Sequence, residues 1–318
     1  MFAIRESDWY CFGYQSIDRE QEPVMPRSET ISRPVDLHLH STCSDGLSTP
    51  SELVAMAREA GFSAIALCDH DSVAGINDAL AAGSTYEVEV LAGIELSSTW
   101  QTFQDIHLLG YGIDHCSPQL LRELSTFRSC RRERNRKILD RINGRLQRDR
   151  KPLLDFYEIQ AAVGDTVGRP HLARALVAKG YARNIEDAFQ RYLIPCNIPK
   201  RYFPMDQAIR LVHDAGGIAV LAHPLLVTRI LDRWEALLDG LTAIGLDGIE
   251  VYTPSATEAE IDFFLRQARH RGLTVTGGSD YHGPPDTASV PGTGFGSFSA
   301  PHTCLTEVRA ALLKQNRF

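Results

Sequence analysis

From residue 35 onward, short apolar runs alternate with longer stretches whose apolar positions recur every three or four residues. The runs are "VDLHL" (35–39), "SAIALC" (63–68), "EVEVLAGIEL" (87–96), "DIHLLGYGI" (105–113), "GIAVLA" (217–222), "DGIEVYT" (247–253) and "LTVTGG" (273–278). Runs this short, rich in Val, Ile and Leu, predict buried strands. Helical periodicity falls between most of the later ones, near 206–215 and 256–270 for example. The first helix is marked at its start, where Thr49-Pro50-Ser51-Glu52 has the form of a capping box with proline at the first helical position. This alternation predicts an α/β fold of parallel strands with outer helices, and seven strands suffice to close a small barrel. Residues 35–115 and 205–318 would form that barrel. Residues 116–204 are too long for one connection and read as an inserted, mainly helical subdomain, while 1–34 show no clear period and form an N-terminal extension.

The first strand and its continuation, "DLHLHSTCSDG", raise a chemical question. Side chains alternate along a strand, so Asp36, His38 and His40 share one face while Val35, Leu37 and Leu39 take the other. The polar face is costly to bury unless something satisfies it. The other strand ends carry similar groups: Asp45 after the first, Asp69-His70-Asp71 after the second, Glu95 ending the third, His107 in the fourth, His223 after the fifth, and Asp280 with His282 after the last. In barrels of parallel strands these ends converge on one mouth. Taken singly, an HxH pair or a strand-end carboxylate is usually a hydrogen-bonded core group; nine such positions together predict a metal site. Imidazole nitrogen mixed with carboxylate oxygen, without thiolate, suits manganese, iron or zinc.

Composition narrows the class. A hydrophobic content of 43% and a charged content of 23% describe a globular chain, and no apolar stretch approaches membrane-spanning length. The first residues lack the plan of a signal peptide. Seven cysteines without a CxxC pair suggest reduced thiols and a cytoplasmic location. A net charge of −7 argues against a double-stranded DNA coat.

The charge is unevenly spread. Residues 122–151 hold twelve Lys and Arg against four acids. On the helix that Ser117-Pro118 opens, the stripe Leu120, Leu124, Phe127, Arg131, Asn135, Ile138, Ile142, Leu146 is apolar at both ends and polar in the middle. Most of the basic residues are a solvated face; Arg131, Arg134 and Asn135, at the break, are candidates for substrate contact. In "TVGRPHLARALVAKG", Gly168-Arg169 precede a helix opened by Pro170, where free N–H groups favour phosphate and Arg169 and His171 could add to them. Simple helix capping explains the same residues. Lys200, which closes the insertion, and Asp71 complete the substrate-contact candidates.

"DLHLHSTCSDG", "CDHDSVAG", "AGIELS", "IHLLGYG", "LAHP" and "GGSDYHG" together resemble the PHP (polymerase and histidinol phosphatase) family over residues 35 to about 300. The resemblance implies a distorted, TIM-like (β/α)7 barrel holding two or three divalent ions, manganese first, with iron, zinc or magnesium as alternatives. Carried over, His38, His40, Glu95 and Asp280 would hold one metal. Glu95 would bridge to a second, bound also by His107 and His223, and Asp45, His70 and His282 would hold the third. A hydroxide bridging the metals, held by Glu95 and the metal ligands, would be the nucleophile. Three divalent ions outweigh the three carboxylates, leaving positive charge for a phosphate dianion. One small departure is Cys68, where the family more often has threonine.

Within that family the insertion, with "RRERNRKI" and "GRPHLARALV", is similar to the 3',5'-nucleoside bisphosphate phosphatases, whose relatives trim short RNA from its 5' end. This implies a hydrolase acting on phosphoric esters that takes adenosine 3',5'-bisphosphate to AMP, with short 5'-phosphorylated RNA as a further substrate. Two other readings stay open. A histidinol-phosphate phosphatase would use the same metals but need no basic lid; a non-catalytic PHP scaffold would be expected to lack ligands, and none is missing here.

Overall fold

The computed structural model describes residues 33–163, 167–283 and 295–315. Residues 1–32 of the expected N-terminal extension lie outside the described residues. Eight strands form the sheet: β1 (Val35–Leu39), β2 (Ala64–Leu67), β3 (Glu89–Trp100), β4 (Phe103–Tyr111), β5 (Phe203–Pro204), β6 (Ile218–Leu221), β7 (Gly248–Tyr252) and β8 (Thr274–Gly277). Their spatial order is β1-β2-β3-β4-β6-β7-β8, with the two-residue β5 against β3.

Two expectations are corrected. The sheet is mainly parallel, but β4 runs antiparallel to both neighbours, β3 and β6. Only Gln101 and Thr102 separate β3 from β4, and a parallel pair needs a crossover of about a dozen residues. Nor does the sheet close into the expected seven-stranded barrel. Between β8 and β1 there is a single parallel bridge, Leu39 to Tyr281, and two backbone bonds, Asp280 N to His38 O (2.9 Å) and His40 N to Tyr281 O (3.0 Å). The partner of β1 is the irregular segment after β8, where Asp280 takes a left-handed φ of 54° and cannot continue a ladder.

Helices cover the sheet by burying one face each. In α1 (Pro50–Glu59) the buried residues are Pro50, Leu53, Val54 and Ala57, and its capping box is formed by Thr49 and Glu52. α2 (Ile76–Tyr86) packs beside it. Between β4 and β6 the chain makes α3 (Pro118–Arg148), α4 (Phe156–Val163), α5 (Arg169–Ala178) and α6 (Ile185–Ala188), before α7 (Met205–Asp214) returns to the sheet. α3 serves two cores. Its Leu120, Leu124 and Phe127 join the core around the sheet, whereas Ile138, Leu139, Ile142 and Leu146 join a separate one with Leu172, Leu176 and Leu193. The polar break in its stripe lies where one core ends and the other begins.

Candidate metal centre

The nine strand-end residues meet in one place. β1 and the turn after it deliver His38, His40 and Asp45. That turn is fixed from below by Asp69, which accepts from Ser41 N (2.7 Å), Ser41 Oγ (2.6 Å) and Ser44 Oγ (2.5 Å). A Cβ on Gly46 would lie 2.2 Å from the His40 carbonyl oxygen, so only glycine lets the turn fold back this closely. Asp36 accepts from Ser279 N (2.9 Å) and so ties β1 to the segment carrying Asp280 and His282.

Glu95 is the hub and is fully buried. His107 Nδ1 lies 2.8 Å and His223 Nε2 2.9 Å from its Oε1; His70 Nδ1 (2.8 Å), His40 Nε2 (3.3 Å) and His38 Nε2 (3.5 Å) surround its Oε2. Asp280 Oδ1 stands 3.1 Å from His40 Nε2 and 3.5 Å from His38 Nε2. Asp45 Oδ1 faces His282 Nε2 at 3.4 Å and His70 Nε2 at 4.0 Å. Among the described residues, three sets have ligand atoms mutually within 4.8 Å: His38, His40, Glu95 and Asp280; His40, Asp45, His70 and His282; and His70, Glu95 and His107. The first set is the one the resemblance implies. In the others His40 and His70 each join a second group, while His223 reaches Glu95 alone.

These atoms fit cations better than one another. His38 Nε2, both His40 nitrogens, Asp45 Oδ1, His70 Nδ1, Glu95 Oε2, His223 Nδ1 and Asp280 Oδ1 are buried without a hydrogen-bond partner. Such groups are rare in folded proteins because each forfeits its solvation. Several lie 2.8–3.5 Å apart yet lack hydrogen-bond alignment, as ligands aimed at a shared cation do. Electrostatics agree. Burial disfavours charge on His40, yet the carboxylates of Asp280 and Glu95 lift it to about 10. Burial acts the same way on His107, which Glu95 and Asp105 raise to about 9. Burial would raise Glu95, but His70, His107 and His38 hold it well below the usual range. The cluster demands positive charge. His223 (φ 23°), Asp280 (φ 54°) and Asp71 (φ 52°) also hold strained left-handed backbone, which functional sites tolerate.

A cavity of about 250 Å³ opens beside the cluster, lined by Asp45, His70 and His107 together with Arg131, Arg134, Asn135, Arg169, Lys200 and Arg201. Burial, with Arg169 and Arg131 nearby, lowers the Arg134 guanidinium to about 10, the signature of crowded cations. Arg134 braces the end of the insertion through Ile198 O (2.7 Å) and Asn197 Oδ1 (2.9 Å). Three substrate-contact candidates have partners within the protein, and of these Asn135 also lines the cavity. Asp71 is fully buried, accepting from Ser97 N (3.0 Å) and Oγ (3.2 Å) and facing Arg131 Nη1 at 3.5 Å, so it meets Arg131 rather than open space. Asn135, also buried, donates to Val167 O (2.7 Å). His171 accepts from Gly168 N (2.9 Å), capping α5.

A family model described as the PHP domain matches residues 36–196, half of the chain. The chain belongs to the PHP family. Among PHP-family relatives, a 5'-3' exoribonuclease of Haemophilus influenzae is 33% identical, covering 80% of this chain and 92% of its own. A 3',5'-nucleoside bisphosphate phosphatase of Chromobacterium violaceum is 30% identical over 79% and 87%. A phosphoribosyl 1,2-cyclic phosphate 1,2-diphosphodiesterase of Eggerthella lenta is 32% identical over 82% and 97%. A solved metal-dependent phosphoesterase from Bifidobacterium adolescentis superposes with a TM-score of 0.73 at 28% identity, covering 88% of this chain and 96% of that one.

Sequence reasoning missed the supporting carboxylates of this PHP site. Glu250, fully buried in β7, sits 3.0 Å from His38 Nδ1 and accepts from His223 N at 2.7 Å. Its signal was a carboxylate between Ile249 and Val251 in a buried strand. Asp69 was passed over as a neighbour of His70, and Asp105 as the polar start of a strand.

Proposed function

We propose that this metal-dependent phosphoesterase of the PHP family removes the 3'-phosphate from nucleoside 3',5'-bisphosphates, taking adenosine 3',5'-bisphosphate to AMP, and trims short 5'-phosphorylated RNA from its 5' end. The observation that carries the reading is one cavity lined both by histidines and a carboxylate fit for cations and by Arg131, Arg134, Arg169 and Lys200. Two or three divalent ions, manganese first, would be held by His38, His40, Asp45, His70, Glu95, His107, His223, Asp280 and His282. When bound they lower the pKa of water and neutralise phosphoryl oxygens. Arg131, Arg134, Arg169 and Lys200 would hold the phosphate that is not cleaved, and that binding aligns the scissile group.

A second reading has the Eggerthella relative in its favour: a cyclic phosphodiester on a phosphorylated ribose offers the same pair of anionic groups. One experiment separates them. Phosphate release and chromatography of products, with manganese, would compare adenosine 3',5'-bisphosphate, AMP, short 5'-phosphorylated RNA, phosphoribosyl 1,2-cyclic phosphate and histidinol phosphate. AMP as the main product of the bisphosphate, itself turned over poorly, is the expected result. Adenosine 3'-phosphate as product would reverse the orientation. Faster hydrolysis of the cyclic ester or of histidinol phosphate than of any bisphosphate would replace the reading.

A further inference from the structure

Asp105 holds a backbone conformation that its sequence neighbours do not require. Ser98 pairs with Ile106 and Thr99 with Gln104, so Asp105 is the extra residue of a β-bulge in β4. Its φ of 59° is left-handed, where a non-glycine residue is strained. Bulges re-aim side chains and recur beside active sites. Here the bulge brings the carboxylate to Lys200 Nζ (2.9 Å) and within 3.4 Å of His107 Nε2. Asp71 repeats the device on the other side. It too is left-handed, directly follows His70, and faces Arg131 Nη1 at 3.5 Å. Each aspartate therefore joins one cation of the insertion, Arg131 from α3 or Lys200 from its far end, to the immediate neighbourhood of a candidate metal ligand.

We infer that Asp71 and Asp105 moor the helical insertion to the sheet and thereby fix the separation between the two anionic subsites, which makes them positioning residues for substrate choice. The inference rests on the bisphosphate reading above. Each cation commits one donor to its aspartate and keeps the others: an ammonium has three donors and a guanidinium five. Both cations line the cavity, so the remaining donors stay available to a phosphate. A ligand whose phosphates match the moored spacing engages both sides at once. A monophosphate gains nothing from the mooring.

Asp105→Gly is the decisive variant, because glycine adopts the left-handed bulge without strain and only the carboxylate is lost. Metal content and melting of the full-length, manganese-loaded variant are measured alongside activity, so that any weakening at His107, whose Nε2 also faces Asp105, is read separately from the mooring. At saturating metal its kcat/KM for adenosine 3',5'-bisphosphate should fall about tenfold further than that for adenosine 3'-phosphate, mainly through KM, the size of one lost charge-assisted contact. Asp71→Asn, which keeps the size but not the charge, should shift the same ratio in the same direction. Amide exchange over residues 197–202 should quicken in Asp105→Gly whatever the substrate, which tests the mooring apart from the function. An unchanged ratio of the two substrates with unchanged exchange overturns the inference. So does a joint loss of metal and of both activities, which would place Asp105 in support of His107 alone. If the parent itself does not prefer the bisphosphate, the functional reading fails while the exchange result still reports on the mooring.

Discussion

A histidine that binds metal is held in place through its second nitrogen; for the candidate ligand His38, Glu250 is so placed, and it also accepts from the backbone of His223. Replacing such a partner usually weakens metal binding about 10- to 100-fold. Glu250→Gln is expected to do so here, by calorimetric titration of chelated protein with manganese; an unchanged affinity would deny Glu250 this part. In the cavity, Arg134→Ala should lower kcat/KM for bisphosphates about tenfold to a hundredfold, since a charge-assisted contact contributes roughly 1.5–3 kcal/mol. Arg148→Ala, exposed on the same helix, should change it by no more than about twofold. Equal losses would mean that the helix acts only as a field. At this scale the sequence was most legible for groups that end strands, because period-two alternation and the strand-end rule place His38, Glu95 or Asp280 without tertiary knowledge. It was least legible for the partners that Asp71, Asn135 and His171 find within the protein. Whether a polar group beside a cavity faces ligand or protein depends on contacts such as Ser97, Val167 and Gly168, which no local pattern announces.

Among elements, the approach of β1 to the end of β8 depends on Gly278. A Cβ there would lie 2.3 Å from His38 Cβ and 2.5 Å from His38 N, and backbone cannot yield as a side-chain tip can. Gly278→Ala is expected to push the two segments apart, destabilising the protein by about 1–3 kcal/mol. It should also reduce bound metal, since His38 and Asp280 sit on opposite sides of that contact. Calorimetric melting and elemental analysis of the purified variant check both; a variant that melts like the parent with full metal would show that the segments can shift without harm. The hairpin of β3 and β4 was within reach of the sequence. The strands expected at 87–96 and 105–113 left too few residues between them for a crossover, so the antiparallel pairing follows from length alone. The division of α3 between two cores was legible as a broken stripe, but what the break adjoined was not.

For the molecule as a whole, cations and protons compete for one cluster. Metal-free His40 and His107, lifted to about 10 and about 9 from 6.5, stabilise the fold fully below pH 6.5. That contribution is lost progressively from pH 6.5 and is gone once pH has risen through 9 to 10, because over this range the folded state holds protons that the unfolded chain has released. Chelated protein is therefore expected to lose melting temperature across this window, and manganese-loaded protein to be spared, with proton release on metal binding at neutral pH. A chelated protein that grows more stable over the same range would contradict this. Barrel closure was the least legible feature at this scale, since strand count alone does not say whether first and last strands share a ladder or, as here, one bridge.

That bridge has a consequence for synthesis. The residues that meet β1 are Asp280 to His282, near the far end of the described chain, and they bring candidate ligands with them. Closing so long a loop adds only slowly to its entropic cost, so the contact is affordable once both ends exist. Before then it cannot form. A chain that stops short of residue 280 has His38, His40 and Glu95 but lacks Asp280 and His282, two of the nine candidate ligands. The candidate centre is therefore complete only once the chain has passed residue 282.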